Sequence, residues 1–266
     1  MFTRQPISLA SGVLPGFSPP VVAEAALRAG FDATGIWVEP STWTDATTRA
    51  VQDTLAGSIP VLDVEVIWLK PGPDNPDHFR VLDIGMELRA ANALVVSSDP
   101  DPHASAAKLH RLCAHAAGSP LRVALEFGLF TEVRTIDSAL AILEECDHPA
   151  SALLIDPLHL SRSGGSPDDV RRVDRRLLSY AQFCDAPPEM PARDDVQAII
   201  HEAVDLRLNP GDGSLPLTAL LDAMPAQIPL SIELRSKKLR DDFPEPIIRA
   251  QALQRATRTF LQKARG

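Results

Sequence analysis

A glycine-rich phosphate loop, paired cysteines and a long apolar run are all missing from this chain, and each absence narrows what it can be. No GxGxxG or GxxxxGKS/T stretch follows an early apolar run. An open dinucleotide-binding or P-loop sheet would usually carry one. Cysteine is scarce: Cys113, Cys146 and Cys184 are odd in number and lack CxxC spacing. Free thiols in a reducing cytosol are the simplest reading. No apolar run approaches the roughly 20 residues of a membrane span, and MFTRQPISLA lacks the apolar core of a signal peptide. The expectation is a cytoplasmic protein that keeps away from membranes. Basic residues are outnumbered, 26 Lys and Arg against 35 Asp and Glu, for a net charge of −9. Long-range electrostatics therefore disfavour nucleic acid and anionic lipid.

What is present is an ordinary soluble composition, 45% hydrophobic and 23% charged. The 24 prolines sit mostly at the ends of apolar runs, as expected for many short loops. Short apolar runs at 7–10, 33–38, 60–68, 93–96, 122–127, 152–155, 178–184 and 229–234 read as strands. Helical patterns at 21–29, 45–55, 77–91, 103–116, 133–145, 167–177 and 217–223 fall between them, and 246–263 closes the chain. Eight units at a spacing of roughly 30 residues imply right-handed parallel crossovers. With no linker or composition break, the fold class predicted is α/β, a single (β/α)8 TIM barrel over residues 1–266.

In such a barrel, ligands bind at the carboxyl ends of the strands. The run at 152–155 ends in Asp156, with His159 three residues on and then Arg162 and Gly164-Gly165. The ends of the last four strands present Glu126, Asp156, Gln182 and Glu233. Three crowded carboxylates raise each other's pKa unless a cation joins them. Carboxylate and amide oxygens suit Mg2+ or Mn2+. His159 is placed to reach either metal or a substrate oxygen. Glu65 reads as a barrel-interior salt bridge or an acid beside the site. Trp37 and Trp68 are candidates to stack on a sugar face. Gly211-Asp212-Gly213 reads as a tight turn that could otherwise cradle a phosphate. Arg249, Arg255, Arg258 and Lys263 read as the solvated face of an outer helix.

The stretches ALEF (124–127), IDPLHLSRSGG (155–165), AQFCDAP (181–187), RLNPGDG (207–213) and SIEL (231–234) together resemble the xylose isomerase-like TIM-barrel superfamily. Its members include ketose 3-epimerases, hydroxypyruvate isomerase, inosose dehydratase and 3-dehydroshikimate dehydratase. The resemblance implies that Glu126, Asp156, Gln182 and Glu233 ligate a divalent metal, often Mn2+ or Mg2+. It implies that His159 and Arg207 hold substrate oxygens. Many relatives have His at the position of Gln182, although the hydroxypyruvate isomerase-like branch has Gln; the amide makes the site harder and less zinc-like. The implied reaction is proton abstraction α to a carbonyl on a carbohydrate-like small molecule, with Glu126 and Glu233 as the acid–base pair. Isomerisation or epimerisation is the first expectation. A lyase with the same first step is the alternative, and a catalytically silent barrel used as a binding subunit is a third. Dimers or tetramers are common among relatives, so a homo-oligomer is compatible with the chain.

Overall fold

The computed structural model describes residues 5–265. Apolar runs and amphipathic helices alternate along them. The strands are β1 (Ile7–Leu9), β2 (Ala33–Trp37), β3 (Val61–Leu69), β4 (Asn92–Ser97), β5 (Arg122–Glu126), β6 (Ser151–Leu154), β7 (Ala181–Phe183) and β8 (Leu230–Ile232). The helices are α1 (Pro19–Ala29), α2 (Asp45–Leu55), α3 (Pro76–Glu87), α4 (Pro102–His115), α5 (Ile136–Cys146), α6 (Pro157–Arg162), α7 (Pro167–Arg171), α8 (Val196–Asp205), α9 (Leu217–Ala223), α10 (Lys237–Asp242) and α11 (Pro246–Arg265). Proline opens α1, α3, α4, α6 and α7, where its missing N–H is harmless.

All eight strands are parallel, in the order β6-β5-β4-β3-β2-β1-β8-β7. β1 joins β8 with Ile7 opposite Leu230. The remaining gap is spanned by a parallel bridge from Ile155 to Ala181, where the Gln182 amide donates to the Ile155 carbonyl at 2.9 Å. This is a TIM barrel, as the alternation predicts. No helix among the described residues is long and apolar enough to cross a membrane.

Two apolar layers hold it. Leu125, Phe127, Leu153, Ile155, Leu230, Ile232 and Leu234 point outward against the helices. Ala124, Ala152, Leu154 and Tyr180 fill the barrel interior. Strand side chains alternate with period two. The inward set therefore continues, two residues further along, into Glu126, Asp156 and Gln182; on β8 the outward Ile232 and Leu234 leave Glu233 inward. Strand parity is what gathers these groups at one end.

Several sequence expectations are corrected. The pattern at 167–177 is not one helix: α7 stops at Arg171, and a 3-10 turn (Arg175–Leu177) follows, capped by the Asp174 carboxylate, which accepts from the Arg176 amide at 2.9 Å. The strand expected over 178–184 shrinks to β7. Helices α6, α8 and α10 were not anticipated. On α11, Arg255 and Lys263 are exposed as expected. Arg249 is instead buried, donating to the carbonyls of Phe243, Pro244 and Val13 at 2.8, 3.1 and 3.2 Å. Arg258 pairs with Asp32.

The Gly211–Gly213 turn is filled by the protein itself. The Asp185 carboxylate accepts from the amides of Gly211, Gly213 and Leu215, each at 3.0 Å, and of Ala186 at 2.8 Å. Its amides are thus not free to hold a phosphate. A Cβ on Gly213 would overlap the Ala186 carbonyl and the Asp185 carboxylate. Gly213→Ala is accordingly expected to lower stability by about 1–3 kcal/mol, read as a lower urea midpoint at unchanged slope. A midpoint equal to the wild type would contradict this account of the turn.

Candidate metal and active site

Asp156 ends the run through β6 and caps α6. Its Oδ1 accepts from the amides of Leu158 at 2.7 Å and His159 at 3.2 Å. Those bonds aim Oδ2 at Arg207, whose Nη1 donates to it at 2.6 Å. The other arm of Arg207 pairs with Glu233 Oε2 at 2.8 Å and donates to His159 Nε2 at 3.4 Å. Its Nε donates to the Ala203 carbonyl of α8 at 2.8 Å. The guanidinium is 2% exposed, so it is an internal tie between strand ends.

Ligand atoms of Glu126, Asp156 and His159 lie within 4.8 Å of one another, all three residues buried. Two of these, Glu126 and Asp156, belong to the quartet expected from the sequence. The third, His159, was expected on the substrate side. The Gln182 amide lies between the two carboxylates. With its nitrogen toward them it donates to Glu126 Oε1 at 2.8 Å and to Asp156 Oδ2 at 3.2 Å. With its oxygen toward them it completes an all-oxygen face, an arrangement that suits a hard cation. Glu233 stands beside this group, turned to Arg207. The donor set of carboxylates, one amide and one imidazole fits a divalent ion such as Mg2+, Mn2+ or Zn2+.

Electrostatics follow from burial. Burial, then the charges of Glu233 and Asp156, hold the Glu126 pKa well above the carboxylate range. No arginine or lysine pairs with Glu126 among the described residues. Burial raises Glu233 to about 7, against the pull of Arg207. Burial also opposes ionisation of Asp156, but Arg207 and His159 outweigh it and its pKa falls below the ordinary value. Burial lowers His159 to about 4, leaving a neutral imidazole at neutral pH. Phe130 lies against that ring, centroids 4.8 Å apart.

A cavity of about 190 Å3 opens over these groups, lined by Trp37, Glu65, Trp68, Glu126, His159, Arg207 and Glu233 among others. Of the metal, catalytic and substrate residues expected from the sequence, all line this cavity except Asp156 and Gln182, which lie against Glu126 beside it. Trp68 donates its indole N–H to Ser98 Oγ at 2.8 Å and meets Phe130 edge-on at 6.0 Å. Glu65 makes no salt bridge among the described residues; it accepts from the Ser11 hydroxyl. Arg235 and Phe130 also line the cavity and were missed. Arg235 lies two residues past Glu233, so the same inward parity could have found it. Phe130 sits in an irregular loop, where no periodicity speaks.

Below the cavity, Asp63 is buried, with Oδ1 3.4 Å from the Ser231 hydroxyl and Oδ2 without a hydrogen-bond partner among the described residues. Burial, then Glu65 and Glu233, raise its pKa well above the ordinary value. The folded protein therefore binds this proton more tightly than the unfolded chain. The penalty for ionising it is absent below about pH 4, the unfolded value, and grows as pH rises toward the folded one. In metal-free protein, Asp63→Asn should raise the melting temperature by more at pH 7.5 than at pH 4. A gain that is flat with pH would mean that Asp63 titrates as it does unfolded.

Residues 96–261, more than half of the chain, match the family model described as xylose isomerase-like TIM barrel. Among solved structures, a xylose isomerase-like TIM barrel/4-hydroxyphenylpyruvate dioxygenase fusion protein is 23% identical, with a TM-score of 0.79 over 99% of this chain and 45% of its own. This chain spans less than half the length of that fusion. The IolI protein with a bound zinc atom is 16% identical, TM-score 0.76, covering 98% of both chains. D-allulose 3-epimerase from Methylomonas sp., in complex with D-allulose, is 16% identical, TM-score 0.69, covering 98% of this chain and 97% of its own. At these identities the likeness is one of fold. No curated protein matches by sequence.

Proposed function

This chain belongs to the xylose isomerase-like TIM-barrel family, and on that footing we propose that it is a divalent-metal-dependent isomerase or epimerase of a carbohydrate-like hydroxyketone. The observation that carries the proposal is Glu126: a buried carboxylate in no ion pair among the described residues, within ligand distance of Asp156 and His159 and opening on a small cavity that Glu65 and Glu233 also line. We assign the metal to Glu126, Asp156, Gln182 and Glu233, with His159 as a further donor within reach. A bound divalent cation would polarise the substrate carbonyl and stabilise the negative charge that develops on it.

The chain's own groups supply the rest. Glu233, with a pKa of about 7, is matched to taking the α-proton near neutral pH. Arg207 orients Glu233 and Asp156 together, so base and ligand keep a fixed relation. Neutral His159 faces the cavity and holds a substrate oxygen, and Arg207, which borders the cavity, reaches substrate only by giving up one of its internal partners. Trp37 and Trp68 bound the cavity laterally and exclude water. Glu126 returns the proton: delivery to the opposite face of the same carbon gives an epimer, and delivery to the neighbouring carbon an aldose–ketose isomer. The D-allulose bound by the Methylomonas epimerase supports a ketose as the first substrate to try.

The test is deuterium exchange by NMR in D2O, with Mg2+-loaded protein and a panel of D-allulose, D-fructose, keto-inositols and 3-keto-glycosides. The expected result is metal-dependent incorporation α to a carbonyl, abolished by chelation and about 10²–10⁴-fold slower in Glu233→Gln. Epimer, isomer or eliminated alkene in the product distinguishes the isomerase from a lyase. No exchange, together with no metal retained by elemental analysis, would overturn the enzymatic reading and leave a silent barrel.

A further inference from the structure

Beside the acidic cavity lies a larger groove of about 820 Å3, walled by residues after β1, by α1 and by α2. Leu14, Val22 and Trp43 form buried parts of its wall, and Phe17, Ala46 and Ala50 line it nearer the surface. Trp37 and Arg235 line both cavities. Ser11 lines the groove while its hydroxyl donates to Glu65 of the inner cavity. The two spaces therefore meet at Trp37 and Arg235.

Both junction residues are poised for a ligand. Trp37 ends β2 and is 43% exposed. Arg235 makes no ion pair or side-chain hydrogen bond among the described residues. Its charge is permanent, and its flat fork of donors suits clustered oxygens. Its stem passes over Gly12, where a Cβ would come within 3.1 Å of the arginine Cδ. Size adds to this. The inner cavity alone, about 190 Å3, is smaller than ligand pockets of roughly 300–1,000 Å3. It takes a small oxygenated head, and the adjoining groove offers room for something larger, with Phe17, Trp37 and Trp43 among aliphatic, proline and a few polar lining residues.

We propose that the groove holds the aromatic half of a two-part substrate, an aryl glycoside or similarly aryl-substituted polyol, with Arg235 donating to the oxygens that join the halves. The position of the head rests on the reading of the acidic cavity given above; the groove's preference for an aryl group does not. The ring would stack against Trp37 and Trp43 in the offset or edge-on geometry that aromatic pairs favour. Substrates of this class differ from free ketoses in carrying most of their binding area outside the reacting cleft.

The experiment is a titration of the metal-loaded protein with phenyl β-D-glucopyranoside and methyl β-D-glucopyranoside, two probes with the same sugar. The phenyl compound should bind about tenfold tighter or more, the gain from burying one ring. Ala46→Trp and Ala50→Trp each place an indole in the groove and should erase that preference. Melting temperature and retained metal identify a variant that has failed to fold, and the two positions are independent. Equal affinities in the wild type, both undetectable included, would overturn the proposal. So would a phenyl preference that survives in both folded variants. A dimer that dissociates in both variants would assign the groove to a second copy of the chain instead. Metal content and ketose exchange report on the acidic cavity separately, so the failure of one reading is distinguishable from failure of the other.

Discussion

Arg207 is a single cation buried among carboxylates drawn from several strands, and the top of the barrel is arranged around it. Removing a carboxylate from water costs several kcal/mol, and an ion pair offsets this only with good geometry and further hydrogen bonds. Arg207 meets that requirement for Asp156 and Glu233, and backbone amides complete Asp156. Glu65 and Glu126 are left with a hydroxyl and an amide as neighbours. Burial therefore favours the protonated form of Glu126 and raises the Glu65 pKa, and a cation placed among these acids would favour their ionised forms.

The same tie links distant parts of the sequence. Arg207 follows α8, and its Nε is held by the Ala203 carbonyl of that helix. Helix α8 is in turn fastened by Glu202, which receives Arg162 of α6 at 2.6 Å with both side chains buried. Two buried ion pairs thus bracket the loops after β6 and β7. Arg162, conspicuous beside His159 in the sequence, serves this bracket and does not face the cavity.

How much could be read beforehand follows from period and parity. The eight strands and seven of the eight expected helices are present because alternating apolar runs have a fixed period, and their ends fall within a few residues of those observed. Glu126, Asp156, Gln182 and Glu233 were legible because each ends an apolar run, and a run's end fixes which side chain turns inward. Illegible features had no period to show. α6 is too short for one, and α8 follows the proline-rich stretch at 187–191, which reads as loop. The partner of Glu65 is a serine in a 3-10 turn rather than a base, since a hydroxyl so near in space was far in sequence. Arg249 looked solvent-facing because its acceptors are backbone carbonyls, which no sequence pattern marks.

The excursion between β7 and Arg207 has one more property. Asp185 and Leu208 face each other in an antiparallel bridge, exchanging hydrogen bonds of 2.9 and 2.8 Å. The chain therefore leaves and re-enters the barrel through a single neck, and residues 188–195 lie outside it, mostly exposed. Loop closure depends only weakly on length once the ends are tied. The barrel's register is thus insulated from changes in this segment. Its length can change while the strand ends beneath keep their spacing. Such a neck separates the part of the fold free to diversify from the part that must stay put.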